Sequence, residues 1–255
     1  MTFFRPLWGG IALLFLLVAC ATAPQSRGEQ ARFEGLLKKG EAYLARGNPQ
    51  MALIALRKAQ GLQPDHVALL SRLGVAYDQV GQTGQALTVW RRAHALKPSS
   101  GAISHNFGVA LMRQGMLAEA EEAFGWALKD GRFDDRGETY YNLALIQQRR
   151  GALREMVSGL QQVLGLAPDH LPAHQLLAEH YRKMRRPDLE ERHLRHILSL
   201  SSNNLDTLER LADLEMQSGQ RERALPLLER IMALSPGSEA AKRAKAKQTQ
   251  ILSTQ

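Results

Sequence analysis

The sequence predicts an all-α fold, a solenoid of paired helices, and three observations carry that prediction. Landmarks recur every 34 residues: Gly40-x-x-Tyr43 matches Gly74-x-x-Tyr77, and Ala52 matches Ala86. A fixed period of this length marks a stacked-repeat architecture. Ala, Leu, Gln, Glu and Arg abound while aromatics are only 6%, which favours helix over a β-sandwich or barrel. Glycine and proline fall at matching places in the period, where helices must turn and stop. With 44% hydrophobic and 23% charged residues over 255 positions, wholesale disorder is excluded.

The first element is an export signal. Met1 to Pro6 carries one positive charge, Arg5, and no acid. An apolar run from Leu7 to Ala19 follows, short of the roughly 20 residues that a membrane-crossing helix needs. A basic start, a short apolar centre and small residues at the end predict a secretory signal peptide over residues 1–19. Leu17-Val18-Ala19-Cys20 resembles the bacterial lipobox, and Cys20 is the only cysteine in the chain. That resemblance implies diacylglycerol on the Cys20 thiol, cleavage before it and acylation of the new amine, with palmitate as a typical chain. Several acyl chains together anchor stably. Ala21 is not the aspartate that favours the inner membrane in Gram-negative sorting, so the resemblance implies the periplasmic face of the outer membrane. Residues 20–32 then read as lipidated cysteine and flexible tether. The net charge of +8 suits anionic lipid, polysaccharide or nucleic acid and selects none of them. Work outside the cytoplasm argues against nucleic acid.

Six units follow at 33–66, 67–100, 101–136, 137–170, 171–204 and 205–238. The eighth position is small, where paired helices cross: Gly40, Gly74, Gly108, Ala144, Ala178, Ala212. The fifteenth closes the hairpin turn: Gly47, Gly81, Gly115, Gly151, Arg185, Gly219. Glycine tolerates the left-handed backbone of a helix end, and Arg185 does so only at a cost. The twentieth is small in four units (Ala52, Ala86, Ala120, Ala224) and departs at Met156 and Glu190. The twenty-fourth supplies a wedge: Leu56, Trp90, Phe124, Leu160, Leu194, Leu228. The third unit is longer, with an insertion at Gly131 to Arg136 that predicts a bend and a division into two blocks of three. Pro226, inside the last unit's second helix, predicts a kink. Residues 239–255 predict a capping helix, with Lys242, Arg243, Lys245 and Lys247 suited to its outer face.

These landmarks resemble the tetratricopeptide repeat family across residues 33–238. The resemblance implies a right-handed superhelical solenoid of six tetratricopeptide repeats with a C-terminal capping helix. Its first helices line a concave groove, reached by positions two, five, nine, twelve and thirteen. In the first four units these include Leu37, Leu44, Val75, Val109, Met112, Tyr141 and Leu145. In the last two they include Glu179, Arg182, Lys183, Asp206, Glu209 and Asp213. The groove is thus expected to be apolar at its amino half and charged at its carboxyl half. Two readings stay open: an apolar strip for a partner helix or extended segment, or side chains that fill gaps beneath the tether and between helices.

No phosphate loop, serine elbow or paired-histidine protease motif is present, so no catalytic residue, metal or cofactor is expected beyond the lipid on Cys20. His170 and His174 flank Pro172, and His193 and His196 share a helix face, but no further metal ligands are signalled. Lys183, Arg185, Arg186, Arg192 and Arg195 form a basic cluster, read as a solvated face or a contact for an acidic partner or lipid headgroups. Lipobox, six repeats and chain length together resemble the pilotin family of type IV pilus systems, outer-membrane lipoproteins that help a secretin ring assemble. Gly137-Glu-Thr-Tyr-Tyr-Asn-Leu resembles that family's fourth repeat. The resemblance implies a protein partner, a secretin subunit, with membrane contact through the lipid. The alternative is an adaptor for another envelope machine, in polysaccharide export or cell-wall synthesis.

Overall fold

The structure, a computed structural model, describes residues 26–253. Cys20 and the signal at 1–19 lie outside the described residues. Within them are 13 helices and no strand. Six antiparallel pairs run α1 (Arg27–Ala45) and α2 (Pro49–Gln60), α3 (Val67–Gln79) and α4 (Thr83–Leu96), α5 (Gly101–Arg113) and α6 (Leu117–Lys129), α7 (Arg136–Arg150) and α8 (Leu153–Leu166), α9 (Leu171–Lys183) and α10 (Pro187–Leu200), α11 (Leu205–Gln217) and α12 (Arg221–Leu234). A final helix, α13 (Glu239–Leu252), packs on α12. Each pair packs internally and then against the next, which makes the chain a solenoid of repeats.

The crossings explain the period. Gly40 faces Leu56, Gly74 faces Trp90 and Gly108 faces Phe124 so closely that no Cβ fits; one added at Gly108 would lie 2.7 Å from Phe124 Cε1. Each wedge is fully buried. Burying a side chain of that size stabilises by about 1.5–3 kcal/mol. Helix starts are capped at the end of the period. Asn204 and Ser238 accept from backbone N–H groups through oxygen, and His66 and His170 do so through Nδ1.

The insertion is a built joint. The Asp130 carboxylate accepts from Gly101 N–H at 2.9 Å and from Arg132 N–H at 3.1 Å. Phe133 is buried against Gly101, and Arg136 Nη1 donates to the Leu128 carbonyl at 2.9 Å. One continuous core runs from Phe33 to Phe124 and ends on Ile146 of α7. The expected second block of three is absent. Repeats four to six are filled instead by three smaller clusters, around Leu160, around Leu194 and around Leu228.

Two further expectations are corrected, at α1 and at α13. Helix α1 begins at Arg27, inside the stretch read as tether, because Ser26 and Glu29 form a capping box: Glu29 N–H donates to Ser26 Oγ at 3.1 Å and Ser26 N–H to Glu29 Oε2 at 3.2 Å. Helix α12 continues past Pro226, whose missing N–H removes one i→i−4 bond without ending the helix. The basic residues of α13 do not all face outward. Arg243 pairs with Glu209 at 2.7 Å and Lys247 pairs with Asp213, two acids of the expected groove face of α11. Ala241, Ala244 and Ile251 are buried beneath the cap.

Candidate functional site: the concave groove

The first helices of the pairs carry the groove, and its two ends differ. Leu37, Leu44, Val75, Val109 and Met112 are all half-buried, resting on the continuous core with part of each side chain open. Val75 lines a cleft of about 490 Å³ between α3 and α5, together with Ser71, Ala102, Ile103 and Asn106. Tyr141 is half-buried on the next cluster, its ring 4.9 Å from that of His170. Burial first, and then the nearby Glu138, push its hydroxyl pKa up. Leu145 is half-buried on the same helix. The structure therefore packs Val75, Val109 and Met112 against one core, with only Val75 in the cleft, and sets Tyr141 against a histidine.

The carboxyl end holds a cleft of about 320 Å³ between α9, α10 and α11. Four of its charged side chains are paired with one another, Glu179 with Arg182 and Glu190 with Arg210. Glu179 accepts two bonds from Arg182 at 2.8 Å each and one contact from Lys183 at 3.2 Å. The Arg182 guanidinium beside it holds the Glu179 carboxyl below the usual range. Glu190, at the landmark where other repeats keep alanine, is buried and accepts two bonds from Arg210, at 2.5 and 2.9 Å. Arg195 bridges Glu191 and the buried Glu215.

The two histidine pairs named from the sequence meet across α9 and α10, a contact that local spacing does not signal. His174 of α9 is buried, stacks on His196 of α10 with centroids 4.0 Å apart, and meets His193 Nδ1 through its own Nδ1 at 2.9 Å. His174 Nε2 lies 2.8 Å from the Pro168 carbonyl, which only accepts, so it carries the proton. Neutral His174 then accepts at Nδ1, and His193 donates. Burial, with His174 next, pushes His193 down to about 4. Among the described residues no three His, Cys, Asp or Glu side chains are placed to hold a metal. No helix among them is long and apolar enough to cross a membrane. Trp126 is another residue that the period does not signal. It is half-exposed on α6, with Lys129 Nζ 4.0 Å from its ring centroid, at a period position that holds Lys58 and Arg92 in the preceding repeats.

The tetratricopeptide repeat model matches residues 33–66. No curated protein sequence matches the chain. Solved structures share its fold. One, from a functional characterization of Pseudomonas aeruginosa PilF, aligns with TM-score 0.69 and 21% identity over 87% of this chain and all of that one. PilW, described as a widely conserved type IV pilus biogenesis factor, aligns with TM-score 0.65 and 18% identity over 86% of this chain and 99% of that one. YrrB, a repeat protein of the same kind with an unusual peptide-binding site, aligns with TM-score 0.57 and 18% identity over 75% and 98%.

Proposed function

We propose that this chain is a non-catalytic protein-binding scaffold, a lipid-anchored pilotin that supports secretin assembly in type IV pilus biogenesis at the outer membrane. One observation carries the reading. Val75, Val109 and Met112 are half-buried apolar side chains on successive first helices, and they rest on the continuous core of repeats one to three. Such a surface suits an amphipathic helix or an extended segment, with apolar anchors taken up between first helices. The likeness of fold to PilF and PilW over most of the chain supports the choice of machine. Lipid on Cys20 would hold the scaffold at the membrane and raise its effective concentration around secretin protomers there.

The test uses a strain lacking the gene, in which heat-resistant secretin multimers should vanish from gels. Wild type should restore them. Val109→Glu/Met112→Glu should not, while it keeps its melting temperature and stays in the membrane fraction, because a buried unpaired charge is strongly unfavourable. Normal multimers in the deletion strain would instead favour the adaptor of another envelope machine. Cys20→Ser should abolish incorporation of labelled palmitate.

A further inference from the structure

Antiparallel pairing puts every hairpin turn on one edge of the solenoid and every linking loop on the other. In repeats four to six these edges carry opposite charge. The hairpin segments 149–155, 183–188 and 217–223 hold eight arginines and lysines against three acids. The linking segments 166–172, 200–206 and 234–239 hold no lysine or arginine and three acids, Asp169, Asp206 and Glu239. On the basic edge Arg150 pairs with Glu121, Arg186 with Asp188, and Lys183 shares Glu179 with Arg182. Arg149, Arg154 and Arg185 are exposed and form no ion pair among the described residues.

Arg185 sets this edge apart. Five hairpin turns close on a glycine with φ between 68 and 77°. Arg185 occupies the same place with φ 53°, the one residue other than glycine at positive φ among the described residues. It makes the same closing bonds: its N–H donates to the Arg182 carbonyl at 3.2 Å, and Arg186 N–H to the Tyr181 carbonyl at 2.9 Å. A side chain there strains the backbone where glycine would not, and retained strain of this kind points to function. Beside it Met184 is 56% exposed, and Leu153, on the neighbouring turn, is 41% exposed.

We propose that the hairpin edge of repeats four to six docks an acidic protein segment bearing apolar side chains, with Arg185 as a contact group held in a strained turn. A bilayer is the rival for any basic edge. The choice of protein rests on the anchor read at Cys20, because the chain enters α1 from the linking edge. Ser26 is six residues from Cys20, at most about 20 Å of chain. The 19 residues of α1, about 28 Å long, separate Ser26 from the hairpin turn of repeat one.

The test uses the full chain in a non-ionic detergent and a fluorescein-labelled peptide of glutamates and leucines, read by anisotropy. Arg185→Gly should raise the melting temperature and weaken peptide binding about three- to fivefold. Arg154→Glu/Arg185→Glu should weaken it by about tenfold or more, with unchanged circular dichroism. Added salt should weaken the wild type towards the variants. An Arg185→Gly variant with undiminished peptide affinity would overturn the proposal. So would tighter binding to phosphatidylglycerol vesicles that the same substitutions abolish, since lipid would then be the occupant. Peptide binding by a chain that takes up no palmitate at Cys20 supports the surface and overturns the anchor alone.

Discussion

The cleft between repeats two and three and the cleft between repeats five and six occupy the same register and have opposite chemistry. Position by position, Ser71 corresponds to Gln175, Val75 to Glu179, Ala102 to Asp206, Ile103 to Thr207 and Asn106 to Arg210. The backbone repeat is common to both, so the difference lies in what the side chains are committed to. Around Val75 the first helices rest on one continuous core and leave their outer faces open. Around Glu179 the charges pair with one another, and the core beneath is divided. Glu190 sits where Ala86 fits in repeat two. A buried carboxylate there requires Arg210, and such a pair is weak as a source of stability because both groups lose their water. The amino half is therefore the half with one continuous core and an open apolar surface, and the carboxyl half is held by paired charges and smaller clusters.

The largest expected effect tests the division of the core. Trp90 is fully buried, and its Nε1 donates to Asp78 Oδ2 at 2.9 Å. Trp90→Ala should cost about 3–5 kcal/mol, since it leaves a large cavity and an unpaired acceptor. Leu194, the corresponding wedge of repeat five, lies in a small cluster that can collapse around the loss. Leu194→Ala should cost about 2–3 kcal/mol. Urea denaturation measures both, and a larger loss at Leu194 would break the comparison.

A smaller effect follows from the facing imidazoles of repeat five. His193 is pushed down to about 4 from an unperturbed 6.5, so between these values the unfolded chain binds the extra proton. Stability should therefore fall as pH drops through that window. The ring is half-exposed, and solvent screening limits the effect to roughly 2–4 °C in melting temperature. Amide exchange, corrected for its intrinsic pH dependence, should rise most in α9 and α10. His193→Asn can still donate to His174 Nδ1 without titrating, and it should remove most of the acid loss. An acid loss that survives this substitution would place the sensitivity elsewhere, with His94 and His105, both lowered chiefly by burial, as the groups to examine.

What the sequence made legible was whatever the period repeats. Gly74 and Trp90 lie sixteen residues apart, and the same spacing at Gly40 and Leu56 and at Gly108 and Phe124 identifies each as one contact. The start of α1 was legible too, since Ser26 and Glu29 have capping-box spacing, but the polar stretch around them has no apolar periodicity to draw the eye. Other features had no such signal. Glu190 breaks its landmark, and nothing local says that Arg210, one repeat farther on, completes it. His174 and His193 come from different helices, so only the turn of repeat five brings them together. The cap reads as basic and outward by composition, yet Glu209 and Asp213 draw Arg243 and Lys247 back to α11.

The smallest effect on stability bears most directly on the two clefts, because it exchanges position nine between them. Val75→Glu gives the apolar cleft the residue of the charged one. Val75 is half-buried, so the new carboxylate can reach water, and Arg72 lies one turn earlier on the same face. The cost should stay within about 1 kcal/mol. Glu179→Val removes the partner of Arg182 and Lys183, both exposed, and should cost no more. Thermal melts should thus barely separate the two variants. Function should separate them sharply: Val75→Glu should fail to restore secretin multimers in the deletion strain, and Glu179→Val should restore them. If Glu179→Val is the variant that fails, the paired charges of repeats five and six are the working surface and Val75 is only an edge of the core. If both fail, a partner spans the two clefts and touches position nine in each, and the contrast between them becomes a reading of the partner, apolar along its first part and charged along its second.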